Sequence, residues 1–283
     1  MKVKIAVVQP TRIVEGNEKE ENLGRACNYV DQAAAMGAKF VCFPEGYPGP
    51  RTREELYYPE ETLSKKALEH RLYVICGGMH PDKKNPECNN VTATLIGPDG
   101  KIGGHYYRTT PAAPWVYFGN AIGIFNMHYA TGNELPVFDT EYGKIGILIC
   151  SEVYPPELAR VLAVKGAEMI FIPNGTSRRS MRETWATLIK ARAYENCAVT
   201  VTCKNVINNS DGFAMIVDPE KQILYSETEG VFAAEVDLGH LRWLRSQEET
   251  AETFREWPHG TKPGLLTQWR RPELYAELVK PVK

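Results

Sequence analysis

The chain has 283 residues, and its 33 lysines and arginines against 35 aspartates and glutamates give a net charge of −2. Charges of both signs are interspersed, so the composition gives no reason to expect a nucleic acid or an anionic membrane as a partner. No apolar run approaches the length of a transmembrane helix, and the N-terminus has the pattern of a strand rather than of a signal peptide. A chain of this length predicts a single α/β domain over residues 1–283 with a substantial core.

Strand and helix patterns alternate along the chain. Short apolar runs predict strands at residues 5–9, 40–43, 72–76, 92–96, 145–149, 169–172, 198–202, 214–217 and 231–236. Helical periodicity covers residues 19–36, 60–70, 156–165 and 181–196. Gly77-Gly78 and Gly103-Gly104 lack the spacing of a phosphate loop and are interpreted as tight strand ends.

From about residue 240 onward the pattern loosens into a polar C-terminal arm, residues 240–283. Its aromatic residues, Trp243, Phe254, Trp257 and Trp269, have little apolar sequence around them. Such residues need a partner surface to cover them. We therefore expect the arm to pack on a neighbouring subunit in a homodimer or a higher homo-oligomer.

The first candidate catalytic residue is Glu45, which follows an apolar strand and lies between Pro44 and Pro48. Burying a carboxylate without a partner costs several kcal/mol or raises its pKa. A raised pKa suits a general base that acts near neutral pH. The competing interpretation is an ordinary glutamate in an exposed loop.

The second candidate is Cys150, where the apolar run 145–149 meets the turn Ser151-Glu152-Val153-Tyr154-Pro155. A strand that turns directly into a helix places a nucleophile at a sheet edge. The following helix N-terminus favours the thiolate, so we expect a lowered thiol pKa. The competing interpretation is a small buried hydrophobic residue.

The remaining cysteines and histidines do not indicate a metal or a cofactor. The seven cysteines have neither paired nor metal-like spacing, which predicts reduced thiols and a cytoplasmic protein. His80, His105 and His128 lack the spacing of metal ligands, so no metal site is expected.

Taken together, these motifs resemble the carbon–nitrogen hydrolase family, also called the nitrilase superfamily. The matching segments, in order, are residues 3–9, 43–45, 77–78, 90–93, 98–100, 149–152, 166–168, 172–174, 191–196 and 271–275. The resemblance implies an α-β-β-α sandwich, a C-terminal arm that reaches across a dimer, and no cofactor. It also implies a Cys–Glu–Lys triad, in which Cys150 and Glu45 match the nucleophile and the base.

The triad lysine has no counterpart in this sequence, which reads Tyr106-Tyr107-Arg108-Thr109-Thr110-Pro111 at the corresponding place. Alignment on Pro111 puts Arg108 at the lysine position, and alignment on the Tyr-Arg pair puts Thr109 there. We favour Arg108, which keeps a cation, although a guanidinium is larger than an ammonium and prefers bidentate oxygen partners. The glutamate that accompanies the lysine in many members is also missing from residues 114–120.

The resemblance gives two functional hypotheses. In the first, the protein is a cysteine-dependent amidase or carbamoylase that acts on a small molecule through a thioester. Tyr107, Ser151, Glu152, Asn174 and Gly175 are then expected around the substrate, and a nitrile is the less favoured substrate. In the second, the loss of the lysine marks a catalytically altered or inactive member with a binding or transfer role.

Overall fold

Two β-sheets form the centre of the protein in a computed structural model that describes residues 1–12, 17–50, 56–110, 128–175, 179–206 and 212–280. The strands are β1 (Lys2–Gln9), β2 (Phe40–Cys42), β3 (Tyr73–Pro81), β4 (Cys88–Ile96), β5 (Ile102–Tyr107), β6 (His128–Ala130), β7 (Val137–Thr140), β8 (Gly143–Ile147), β9 (Met169–Asn174), β10 (Val199–Lys204), β11 (Ala214–Val217), β12 (Gln222–Ser226) and β13 (Gly230–Asp237). Among the described residues, the first sheet has the order β13-β1-β2-β3-β4-β5, with β6 beside β4. The second sheet has the order β12-β11-β10-β9-β8-β7.

Among the described residues, four helices cover the outer faces of the two sheets, and two more helices follow β13. They are α1 (Glu18–Ala35), α2 (Pro59–His70), α3 (Pro156–Val164), α4 (Arg182–Asn196), α5 (Leu238–Ser246) and α6 (Ala251–Glu256). Short 3₁₀ turns cover Cys150–Val153, Arg179–Met181 and Pro272–Val279. The long helices begin and end close to where the sequence periodicity places them.

Three apolar clusters hold these layers together. The central one lies between the sheets and contains alternate residues of facing strands, such as Ile5 and Phe171. A second joins the first sheet to α1 and α2, and a third joins the second sheet to α3 and α4. Strands that are buried on both faces explain why their sequences are continuous apolar runs rather than alternating patterns. The predicted α-β-β-α sandwich is confirmed.

The glycine pairs lie inside strands, not at strand ends, so that part of the interpretation is wrong. Gly77 lies within β3, and Gly104 lies within β5. A Cβ on Gly77 would lie 2.3 Å from the backbone nitrogen of Gly46. Glycine is therefore needed there because the chain after β2 passes directly over β3.

The arm begins later than the sequence indicates. Helix α5 packs into the central core, where Leu241 and Leu244 are each 2% exposed. Beyond it, Phe254 is 72% and Leu278 is 63% exposed. The exposed apolar side chains that motivate the interface are therefore Trp243 on this helix, which is 43% exposed, and residues after Ser246. None of the described helices combines the length and the apolar character needed to cross a lipid bilayer.

Candidate active site

Glu45 is held by the turn that follows β2. Strand β2 runs parallel to both β1 and β3, and the backbone N–H of Tyr47 closes the turn by donating to Pro44 O at 3.1 Å. The Glu45 carbonyl accepts a 3.2 Å hydrogen bond from Asn205 Nδ2. This turn, supported by Gly77 below it, aims the Glu45 carboxylate toward the second sheet.

Cys150 occupies a strained elbow between β8 and a 3₁₀ turn. Its φ of 56° lies in the left-handed region, which is uncommon for a residue with a side chain. Such strain is typical of nucleophile elbows and other functional positions. The expected strand–turn–helix arrangement is present, with α3 beginning at Pro156.

Arg108 joins these two segments. Its Nη1 donates to Glu45 Oε1 at 2.7 Å, and its Nη2 donates to Ser151 Oγ. Its Nε donates to Thr110 O at 3.0 Å, and the side chain is only 3% exposed. The solvent-facing Arg108 required by the alternative alignment is therefore not observed. The positive charge of the buried guanidinium offsets the cost of removing the Glu45 carboxylate from water, so Glu45 is not an unpaired acid.

The Cys150 thiol lies against the same carboxylate. Burial raises the pKa of Cys150 to about 12, and the negative charge of Glu45 acts in the same direction. The positive charge of Arg108 and a hydrogen bond from the Gly175 backbone N–H oppose this rise without cancelling it. The lowered thiol pKa expected from the helix N-terminus is wrong, because desolvation and a neighbouring carboxylate outweigh that dipole.

Asn174 and Gly175 extend from the end of β9 to the sulfur. The Cys150 thiol donates to Asn174 Oδ1 at 3.3 Å. Asn174 Nδ2 is buried, and among the described residues no acceptor is found for it. A Cβ on Gly175 would lie 2.4 Å from Glu45 Oε2, so only glycine leaves room for the carboxylate at this position.

Glu152 has a different environment from the one expected of a substrate-binding residue. Its side chain is fully buried, and Oε1 accepts from Thr109 N at 2.7 Å, Thr109 Oγ1 at 2.7 Å and Thr110 N at 2.9 Å. Oε2 accepts from Tyr106 Oη and Ile149 N, both at 2.7 Å. Five protein donors therefore surround the carboxylate. These hydrogen bonds fix the segment after β5 to the elbow and point to a positioning role.

Tyr107 lies on the other face of the first sheet. Successive side chains of a strand alternate between faces. Tyr106 and Arg108 point to the layer between the sheets, whereas Tyr107 stacks on His105 with ring centroids 6.1 Å apart. The structure thus brings together Glu45, Arg108, Cys150, Asn174 and Gly175 and leaves Tyr107 outside this group.

Sequence reasoning missed Tyr129 and Asn205. Tyr129 is half-buried on the short strand β6, where burial and the charge of Glu45 raise its pKa to about 12. Asn205 is 4% exposed and supports the Glu45 turn. Neither residue belongs to a motif with a chemical signature, so only their position in space identifies them. Residues 114–120, where a second acid was sought, lie outside the described residues.

Comparison with known proteins agrees with this geometry. The profile of the carbon-nitrogen hydrolase family matches residues 4–246. The chain belongs to the carbon-nitrogen hydrolase family. The matched region ends with α5, just before the exposed part of the arm.

Individual relatives are amidases. The chain is 28% identical over 275 residues to omega-amidase NIT2-A of Xenopus laevis, covering 87% of this chain and 92% of that protein. It is 30% identical over 246 residues to deaminated glutathione amidase of Synechocystis sp. (strain PCC 6803 / GT-S), covering 80% of this chain and 90% of that protein. Both of these relatives are named as amidases.

Solved structures show the same fold. A carbon-nitrogen hydrolase from Helicobacter pylori G27 superposes with a TM-score of 0.78 at 18% identity, covering 100% of both chains. The NitN amidase from Neterenkonia sp. AN1 superposes with a TM-score of 0.71 at 20% identity, covering 90% of this chain and 99% of that chain. At these identities the superpositions support the fold.

Proposed function

We propose that this protein hydrolyses the C–N bond of a small amide or carbamoyl compound through a thioester on Cys150. The observation that carries the proposal is the convergence of Glu45, Arg108 and Cys150 from three separate chain segments. A carboxylate beside a neutral thiol can take its proton as the sulfur attacks, so a raised thiol pKa is compatible with base-assisted attack.

In this mechanism Glu45 accepts the thiol proton while Cys150 Sγ bonds to the carbonyl carbon. The oxygen becomes negatively charged, and the Arg108 guanidinium stabilises it electrostatically. Asn174 Nδ2 is a second candidate donor near the sulfur. The tetrahedral intermediate then expels ammonia or an amine, which takes the proton from Glu45. Water, deprotonated by Glu45, then attacks the thioester carbon; the C–S bond breaks, the acid is released, and Glu45 returns the proton to the Cys150 sulfur.

The names of the relatives guide the choice of substrate. Omega-amidase and deaminated glutathione amidase both act on amides, so deaminated glutathione and small ω-amides are the first compounds to test. A nitrile would require an additional hydration through a thioimidate. The catalytically altered alternative rests on the missing lysine, and it predicts no turnover of any amide.

Mass spectrometry of the intact protein after rapid mixing with an amide and nitrile panel tests the proposal. We expect an acyl adduct on Cys150 and release of ammonia, with both signals absent in Cys150→Ser. Hydroxylamine should intercept the thioester as a hydroxamate. An adduct without hydrolysis would favour a transfer role, and no adduct with any amide or nitrile would contradict the proposal.

The proposal includes one domain over residues 1–283 that assembles into a homo-oligomer in the cytoplasm. The exposed apolar residues of the arm support the assembly, and seven free cysteines agree with a reducing compartment. Light scattering of the full chain and of a chain ending at Ser246 tests the assembly. A full-length monomer at micromolar concentration would contradict it.

A further inference from the structure

Three potential metal ligands lie together on the outer face of the first sheet, away from the thiol. They are Glu60 in the first turn of α2, His80 near the end of β3 and His105 on β5. One ligand atom from each lies within 4.8 Å of the others. Their separation in the sequence explains why spacing gave no metal signal, since the cluster forms only when α2 packs over the sheet.

The Glu60 carboxylate has an unused oxygen. Oε1 lies 2.8 Å from His80 Nε2, whereas Oε2 is buried and has no hydrogen-bond partner among the described residues. Glu60 as a whole is only 8% exposed. A buried acceptor without a donor destabilises the folded protein, and more so if it is charged. A cation bound at the cluster would remove that effect.

His105 is oriented for coordination. Its Nδ1 lies 3.0 Å from Thr94 Oγ1, which fixes the ring and directs Nε2 to the other side. Metal-bound histidines are typically held by such a second hydrogen bond. Burial lowers the pKa of His105, and the nearby His80 acts in the same direction.

We propose that Glu60, His80 and His105 bind a divalent transition-metal ion of the Zn²⁺ type. Two imidazoles and one carboxylate suit such ions. The 2.8 Å between Glu60 Oε1 and His80 Nε2 fits two ligands of one ion, because bonds of about 2.0–2.2 Å set adjacent ligands roughly 3 Å apart. The ion takes the place of the proton between these two groups, and the His80 ring then carries its proton on Nδ1.

The ion would be structural, not catalytic. His105 and Arg108 lie three positions apart, and successive side chains of a strand alternate between faces, so the two point to opposite faces of the sheet. The ion would tie α2 to β3 and β5, and β5 leads directly into the Arg108 segment. Hydrolysis does not need it.

Two other clusters serve as internal comparisons. Glu220, His240 and His259 also lie together, but each Glu220 oxygen already contacts one histidine at 2.6 Å. In the third cluster, Lys66 Nζ lies 2.8 Å from Asp31 and 3.0 Å from Glu69, so a cation is already present. Of the three clusters found among the described residues, the Glu60 cluster alone combines two histidines with a carboxylate oxygen that has no hydrogen-bond partner there.

The test is titration of chelator-treated, full-length protein with Zn²⁺ by calorimetry and with Co²⁺ by visible absorption. The background is His240→Gln/His259→Gln, which removes the competing cluster. We expect one equivalent to bind there. Glu60→Gln and His105→Gln should each weaken binding by about a hundredfold, and Thr94→Val by about tenfold. Zn²⁺ should raise the Tm of the background protein but not of Glu60→Gln or His105→Gln.

If these substitutions prevent folding, a measurement on protein that keeps Glu60, His80 and His105 still tests the proposal. Zn²⁺ should protect His105 from ethoxyformylation by diethylpyrocarbonate, as read by peptide mass spectrometry. Absence of saturable Zn²⁺ binding in the background protein overturns the proposal. It is also overturned if Glu60→Gln and His105→Gln bind Zn²⁺ as tightly as the background protein does. Unprotected His105 at saturating Zn²⁺ overturns it as well.

Discussion

Two buried glutamates on either side of Arg108 have opposite surroundings. Glu45 receives a hydrogen bond from the Arg108 guanidinium and lies against the Cys150 thiol, with 16% of its side chain exposed. Glu152 is fully buried and accepts five hydrogen bonds from protein donors. A carboxylate surrounded by fixed protein donors holds those donors in place, whereas one beside a thiol can exchange a proton with it. The first environment favours chemistry and the second favours positioning.

The largest expected effect comes from removing the nucleophile next to Glu45. Cys150→Ser and Cys150→Ala should abolish hydrolysis, because no other group can form the thioester. Both replacements are small, so the fold should survive, as circular dichroism can verify. Retention of more than about 1% of wild-type kcat would contradict the nucleophilic role, since such a loss normally costs many powers of ten.

Removing the charge of Glu45 should be nearly as damaging. Glu45→Gln keeps the shape of the side chain but cannot carry the proton, so kcat should fall by at least about a hundredfold. The same change should lower the Cys150 pKa below its value of about 12, because a negative charge that disfavours the thiolate is removed while Arg108 remains. The thiolate absorbance difference between each protein and its Cys150→Ser counterpart, measured against pH, gives both values. A rate within tenfold of wild type would make Glu45 structural.

Arg108 links the two glutamate environments and should have an intermediate effect. Arg108→Ala should lower kcat about a hundredfold with a much smaller change in substrate binding, as for the loss of one oxyanion donor. Arg108→Lys should retain activity or raise it. Thr109→Lys should not restore Arg108→Ala, because the Thr109 hydroxyl contacts Glu152 and not Glu45. A silent Arg108→Ala, or a rescue by Thr109→Lys, would instead support the alternative alignment.

The sequence predicted the surroundings of Glu45 and Cys150 better than those of Glu152, for a physical reason. Cys150 and Glu45 each follow an apolar strand within a local motif, and local chemistry is visible in local sequence. Four of the five donors to Glu152 come from residues more than forty positions away, at Tyr106, Thr109 and Thr110, so the fold was needed to show that its oxygens are fully occupied. Tyr107 was expected near the substrate because the sequence alone does not show which face of the sheet each side chain of β5 occupies.

The smallest effect on the rate, with the largest effect on stability among these variants, is expected at Glu152. In Glu152→Gln the amide replaces one acceptor oxygen with an N–H₂ group, which faces donors such as Ile149 N and Tyr106 Oη. We expect a loss of about 3–5 kcal/mol in the free energy of unfolding, because buried donors lose their acceptor and N–H groups are forced together. Tyr106→Phe is the matched control, since it removes one donor and leaves the acceptor, and it should cost only about 1 kcal/mol.

In both variants, the kcat of the folded fraction should stay within about tenfold of wild type, because the elbow and Glu45 keep their chemistry. Urea unfolding gives the stabilities, and kcat normalised to Cys150 adduct formation gives the rate per folded site. A stable Glu152→Gln protein that has lost turnover would reverse the assignment and place Glu152 among the reacting groups.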